Sequence, residues 1–272
     1  MEKDKLEMGR HDYIIPRLQE HLDAVRSKHS EWVGIFLQGS QNYHLDYAGS
    51  DIDSKLIVLP SFDDFALNRQ PYSYTHVMEN EEHVDVKDIR LMFSCFRKQN
   101  INFLEILFTH FFIVNPVYER FWDIVVQNRE RIARYNNYAS LHCMLGMAME
   151  KRKALCHPYP ATKDKIDKFG YDPKQLHHIL RLDEFMKRWI DGVPYSFCLV
   201  TEQIGYLLSV KLGAYEKDEA IKLADKTIEH MKGMVDDYKS THTLKVDKTV
   251  DSILNSTVVN TLKYSFMREI GR

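Results

Sequence analysis

Apolar residues recur along this chain with two different periods, and the change from one to the other falls near residue 116. From Met8 to Ser30 they return at helical spacing, which predicts an amphipathic helix carrying Pro16 as a kink. Trp32 to Leu37 and Ile52 to Leu59 are short apolar runs of strand length, the second closed by Pro60. Residues 61–80 form a connection containing a short helix, and the acidic run Glu79 to Glu82 leads into a third strand around Val84 and Val86. Ile89 to Lys98 returns to helical spacing, and a short strand at Phe111 to Val114 precedes Asn115-Pro116, a helix start.

Beyond Pro116 every apolar pattern is helical. The predicted helices are Val117 to Arg131, Tyr138 to Leu155, Pro173 to Ile190, Thr201 to Leu212, Lys217 to Asp236 and Val250 to Met267, with a polar loop from Asp237 to Lys248. The pattern therefore predicts an α+β protein: a small mixed sheet flanked by helices over residues 1–115, then an α-helical lobe over residues 116–272.

The most informative polar positions sit between the first two strands. Gly39-Ser40 follows the first strand, and Asp51-Ile52-Asp53 opens the second. Alternation along a strand points Asp51 and Asp53 one way and Ile52 into the core. Two carboxylates on one face suit Mg²⁺, which takes oxygen ligands and completes its shell with water and substrate phosphates. A metal pair there would stabilise the attacking and leaving oxygens of an in-line displacement at phosphorus. Gly39 permits close backbone approach at the turn, and Ser40 is expected to cap the segment Gln41 to Leu45, whose N–H groups suit a triphosphate. On the third strand Asp85 faces away from Val84 and Val86, and is the candidate third ligand or the base that accepts the proton of an attacking hydroxyl.

A second motif lies in the helical half. In Gly170-Tyr171-Asp172-Pro173, Asp172 is placed to cap a helix whose first turn holds Pro173, and Lys174, His178 and Arg181 then share one side of it. Such a row can bind a triphosphate or a polynucleotide backbone. Spacing alone fits an ordinary solvated helix face better. Arg129, Arg131 and Arg134 with Tyr135 and Tyr138 read either as a nucleic-acid-facing strip or as a solvated helix end, and Lys163, Lys165 and Lys168 border a loop at His157 to Pro160. Tyr43, Tyr171 and Phe169 are candidates for stacking on a base.

Taken together, Gly39-Ser40 and Asp51-Ile52-Asp53 resemble the signature of the DNA polymerase β-like nucleotidyltransferase superfamily, with Ser54 standing where that pattern has an apolar residue. Gly39-Ser40-Gln41-Asn42-Tyr43, Ser50-Asp51-Ile52-Asp53, the stretch Asn100 to Phe108, and Gly170-Tyr171-Asp172 with Lys174, His178 and Arg181-Leu182 are similar to its RNA-repair-pathway, RlaP-type branch. The resemblance runs from about Trp32 to Gly192. It implies a polymerase β-type fold and transfer of NMP from an NTP. Its link to RNA end repair makes an RNA end the favoured acceptor, and the carboxylates Asp51, Asp53 and Asp85 are expected to bind two Mg²⁺ ions, with Mn²⁺ as the alternative. Transfer of AMP to a protein or small molecule, and a non-catalytic nucleotide-binding module, are the competing readings.

Composition sets the outer limits. A 272-residue chain with 44% hydrophobic residues can bury a substantial core. A formal net charge of -2 argues against a globally basic nucleic-acid binder but leaves room for local basic patches. Cys95, Cys143, Cys156 and Cys198 have no zinc-like spacing and read as reduced, cytoplasmic thiols, and the histidines lack spacing for a zinc site. No apolar run approaches a membrane span, and the charged start Met1 to Glu7 is unlike a secretory signal.

Overall fold

The structure is a computed structural model that describes residues 2–29, 31–47 and 50–271, with only the backbone described over 2–9. Its elements run α1 Glu2–Val25, β1 Glu31–Gln38, β2 Asp53–Leu59, α2 Phe62–Ala66, β3 Ser73–Val77, β4 His83–Asp88, α3 Ile89–Arg97, α4 Ile101–Leu104 and β5 Phe112–Val114. Helices then follow without further strands among the described residues: α5 Glu119–Gln127, α6 Arg129–Ala133, α7 Asn137–Ala154, α8 Lys163–Phe169, α9 Pro173–Ile190, α10 Tyr195–Leu199, α11 Ile204–Lys211, α12 Lys217–Thr241 and α13 Lys248–Ile270. The protein is α+β, as its pattern predicts.

The sheet has the order β3-β4-β2-β1-β5, with β2 and β4 parallel and the other neighbours antiparallel. Its two faces are covered differently. Ile14, Leu18, Leu22 and Val25 of α1 pack onto Ile35, Leu37, Ile52, Leu56, Val58, Val84 and Val86. Each of those four helical side chains contributes about 2 kcal/mol by leaving water. The opposite face, with Phe36, Ile57 and Leu59, belongs to a second cluster that takes in α3 and continues through α7, α9 and α12. Alternation along β2 and β4 therefore sends Asp53, Lys55, His83, Asp85 and Lys87 to the α3 side, and Ser54, Glu82 and Asp88 to the α1 side.

Several expectations need correction. The connection over 61–80 contains the predicted short helix, closed by a Ser61 and Asp64 capping box, but also the edge strand β3. Its polar sequence and half-exposed pattern hid it, because pairing with β4 alone holds it. The helix expected from Val117 is two helices that begin at Glu119 and break at Asn128. The loop expected from Asp237 is helical to Thr241. Lys163, Lys165 and Lys168 do border the loop at His157 to Pro160, and residues 163–169, to which the pattern assigns no element, form α8. The first helix ends at Val25, and a single turn Arg26–Lys28 follows; Ser30, its predicted end, lies outside the described residues. No helix among the described residues is long and apolar enough to cross a membrane.

Candidate functional site

At the end of β1 the chain turns through Gly39, whose φ of 87° only glycine adopts without strain. A Cβ there would meet nothing within 4 Å, so the backbone angle, and not close approach, is what requires glycine. The single turn Ser40–Tyr43 that follows is capped by Gly39. Ser40 makes no side-chain cap bond, contrary to its expected role, and instead lines the cleft. Glu105 fixes this turn from below: its carboxylate accepts from the Gly39 N–H at 3.2 Å and from the Tyr43 hydroxyl. Glu105 is fully buried, and burial pushes its pKa up against the pull of Lys55.

Asp51 and Ile52 precede the first paired residue of β2, Asp53, so the strand carries one of the two carboxylates and its approach carries the other. Asp51 is exposed, Asp53 half-buried and Ile52 fully buried, the alternation the sequence implies. Asp53 Oδ1 accepts from the His83 backbone N–H at 3.0 Å and lies 3.2 Å from His83 Nδ1. Asp85 sits beside Lys55 on the same face, and Lys55 Nζ donates to its Oδ2 at 3.1 Å while lying 4.3 Å from the centroid of the Phe103 ring.

The helical wall is assembled by the second motif. Gly170, with φ of 75°, ends α8, the buried Tyr171 donates its hydroxyl to Tyr215 O, and Asp172 caps α9 by accepting from Lys174 N at 3.0 Å. Tyr171 is thereby a packing anchor and not a stacking platform. Along α9 this places Lys174, His178 and Arg181 on the cleft. Arg181 is only 5% exposed, its Cζ is 3.9 Å from the centroid of the Tyr43 ring, and its Nε has no protein partner. Lys151 from α7, Lys165 from α8 and Lys211 from α11 join them.

The result is a cleft of about 350 Å³. Gly39, Ser40, Asp51, Asp53, Lys174, His178 and Arg181 all border it, and Asp85 does not. Six cationic side chains, Lys55, Lys151, Lys165, Lys174, Arg181 and Lys211, face three carboxylates, Asp51, Asp53 and Glu105. Burial and mutual repulsion shift the bases that line the cleft. Lys151 is lowered by burial and then by Lys174, and Lys211 is brought down to about 8 by the same two causes. Burial takes His177 to about 4 and His178 far below its usual value, with neighbouring cations adding to both. Both imidazoles are therefore neutral near pH 7.

Sequence reading missed Lys211 and gave Glu105 no role of its own. Nothing in spacing marks them, because they come from α11 and from the turn after α4 and meet the cleft only through packing. In the arginine strip, Arg134 is tied into the fold by donating to Trp189 O and Val193 O, and the half-exposed Arg131 pairs with Asp247. Among the described residues no group of three or more His, Cys, Asp and Glu side chains is arranged to hold a metal ion. The fit to Mg²⁺ therefore rests on Asp51 and Asp53, hard oxygen donors on the cleft wall, with Asp85 engaged by Lys55.

No protein-family model matches the chain, and no curated protein sequence matches it. Among solved structures it is similar to a nucleotidyltransferase-like protein from Exiguobacterium sibiricum, at 11% identity and a TM-score of 0.32, over 92% of this chain and 79% of that one. A likeness that distant adds nothing to the reading of the site, which stands on the geometry above.

Proposed function

We propose that this protein is an Mg²⁺-dependent nucleotidyltransferase that moves NMP from an NTP to an acceptor hydroxyl, with an RNA end as the acceptor. The observation that carries this reading is the facing of two walls: Asp51 and Asp53 beside the Gly39-Ser40 turn on one, Lys151, Lys165, Lys174, Arg181 and Lys211 on the other. A triphosphate fits between them because its oxygens satisfy both, the cations directly and the carboxylates through bound cations. The choice of RNA follows the link of the RlaP-type branch to RNA end repair; the motif residues themselves do not select the acceptor. In this reading residues 1–115 form the catalytic domain and 116–272 the α-helical domain.

Asp51 and Asp53 would hold Mg²⁺ or Mn²⁺, and the bound metal would supply Lewis-acid stabilisation at phosphorus. The chain's own groups do the rest. Ser40 lies at the mouth of the turn with a hydroxyl to offer phosphate. Arg181, held against Tyr43, directs its guanidinium without losing side-chain freedom on binding. Neutral His178 can donate or accept a hydrogen bond without adding to the repulsion among its neighbours. Asp85, paired with Lys55 beside the cleft, would be the third carboxylate if Lys55, which borders the cleft, took a phosphate as its partner instead.

The test is incubation of the purified protein with each α-labelled NTP, Mg²⁺ and total RNA. Label in RNA is the expected result. Label in protein or in a small molecule would keep the chemistry and change the acceptor, and no Mg²⁺-dependent incorporation with any NTP would overturn the reading.

A further inference from the structure

Behind the carboxylate pair, on the α1 side of the sheet, lies a polar network that the chemistry above does not use. Ser54 and His21 are both 0% exposed. His21 Nδ1 is 2.9 Å from Ser54 Oγ, and His21 Nε2 is 2.9 Å from Glu82 Oε2. Glu82 Oε2 also accepts from Arg17 at 2.6 Å, and Glu82 Oε1 accepts from the backbone N–H of Ile52 at 3.2 Å. Ile52 is the residue between the two cleft carboxylates. The next residue after Glu82 is His83, whose backbone N–H holds Asp53.

The hydrogen-bond directions follow from the chemistry of the groups. A carboxylate only accepts, so His21 must donate from Nε2 to Glu82. A neutral imidazole then accepts at Nδ1, and the Ser54 hydroxyl must be its donor. With the imidazole neutral, one arrangement satisfies these partners, and the network is directional. Stability alone does not call for it, because buried polar groups of this kind are replaced by well-packed apolar ones with little loss. Its contacts converge on three consecutive residues, Ile52 through the N–H, Asp53 through His83 and Ser54 through the hydroxyl. Ser54 is also the position where an apolar residue was expected from the signature.

We infer that Arg17, Glu82, His21 and Ser54 form a positioning network that fixes the Asp51-Ile52-Asp53 segment from behind, so that both carboxylates meet a divalent cation in one geometry. The inference rests on the reading of Asp51 and Asp53 as metal ligands. Outer-shell partners of this kind are commonly worth about 10- to 100-fold in metal affinity.

The test measures Mn²⁺ affinity by electron paramagnetic resonance of free Mn²⁺, and exchange of the Ile52 amide by NMR, on the full chain without nucleotide. Ser54→Ala and Glu82→Gln are compared with Asp53→Asn and with Thr261→Val, an equally buried polar position in α13 away from the cleft. Expected are Mn²⁺ binding about tenfold weaker in Ser54→Ala and Glu82→Gln, faster Ile52 exchange in both, and neither change in Thr261→Val. Ser54→Ala removes one oxygen from a filled site and is the variant that stays folded if Glu82→Gln does not. Mn²⁺ binding like that of the unaltered protein in Ser54→Ala, with Asp53→Asn having lost it, would overturn the network's role while leaving the ligand assignment standing. Mn²⁺ binding unaffected by Asp53→Asn would remove the ligand assignment and the inference together. Loss of affinity in Thr261→Val equal to that in Ser54→Ala would reduce the effect to general stability and overturn the inference as well.

Discussion

The sheet wall of the cleft presents its carboxylates at the frayed entrance to a strand, whereas the helical wall sets its cations along helices packed into the core. Asp51 is exposed and Asp53 half-buried; the His83 N–H holds Asp53 from the side, and Glu82 holds the Ile52 N–H between them from behind. On the other wall Arg181 is buried, and burial together with mutual repulsion depresses Lys151 and Lys211. The first wall is polar and supported; the second is crowded with like charge and tolerates it because α7, α9 and α12 pack through a shared apolar core. Groups gathered against their own repulsion are stabilised by an anion that joins them, and groups displayed at a strand end can change partners without disturbing the core.

The sharpest break between the walls comes from removing charge without shape on the sheet side. Asp53→Asn should lower Mg²⁺-dependent transfer by about three orders of magnitude, the several kcal/mol a metal contributes at the reacting phosphorus. Asp51→Asn should do nearly as much. Both variants should melt close to the unaltered protein, since neither carboxylate supports the core. Near-normal turnover in both would end the metal reading.

On the helical side the same kind of change should cost binding and stability together. Arg181→Ala removes a buried cation from the Tyr43 ring and from the neighbourhood of Glu105, so nucleotide affinity should fall about 10- to 100-fold, in line with a charge-assisted contact, and the melting temperature should fall with it. Arg181→Lys should not restore either, because an ammonium cannot stack on the ring as a guanidinium does. Recovery of affinity in the lysine variant would show that charge alone matters at this position.

The difference between the walls also decides how much of the site could be read from the chain. Gly39, Ser40, Asp51 and Asp53 lie within one stretch of sequence, where a glycine angle and a strand's alternation suffice to group them. Lys174, His178 and Arg181 share a helix face, so their spacing showed the row, but only packing shows that it faces the carboxylates across a cleft. Lys151, Lys165 and Lys211 come from three other helices, and their convergence depends on crossing angles that no local pattern encodes. Ser54 looked like a blemish because its partners, His21 and Glu82, are remote in sequence from it and from each other. The edge strand β3 was invisible for a related reason: one neighbour and one half-covered face leave little apolar signature.

Lys174 offers a milder probe, because it is exposed at the first turn of α9. Lys174→Ala should weaken NTP binding about three- to fivefold, within the range of a solvent-screened charge contact, and should flatten the salt dependence of RNA binding by about one phosphate contact. Titrations at two salt concentrations measure both. An unchanged slope for either ligand would return this residue to the solvated face of its helix.

The smallest expected effect is in the pH dependence of nucleotide binding, and it belongs to Lys211. Its Nζ donates to Leu45 O at 2.8 Å, and burial together with Lys174 brings its pKa down to about 8. A bound phosphate favours the ammonium and raises that pKa, so binding takes up protons and weakens as pH rises through 8. At pH 7 about nine in ten Lys211 side chains are charged and at pH 8 about half, so affinity should fall about twofold over that interval, where the terminal phosphate is already largely ionised. In Lys211→Met the fall should vanish. Calorimetry in two buffers of different ionisation enthalpy measures the proton uptake directly: uptake near pH 8 that persists in Lys211→Met would assign it to another lysine of the wall, with Lys151 the next to change.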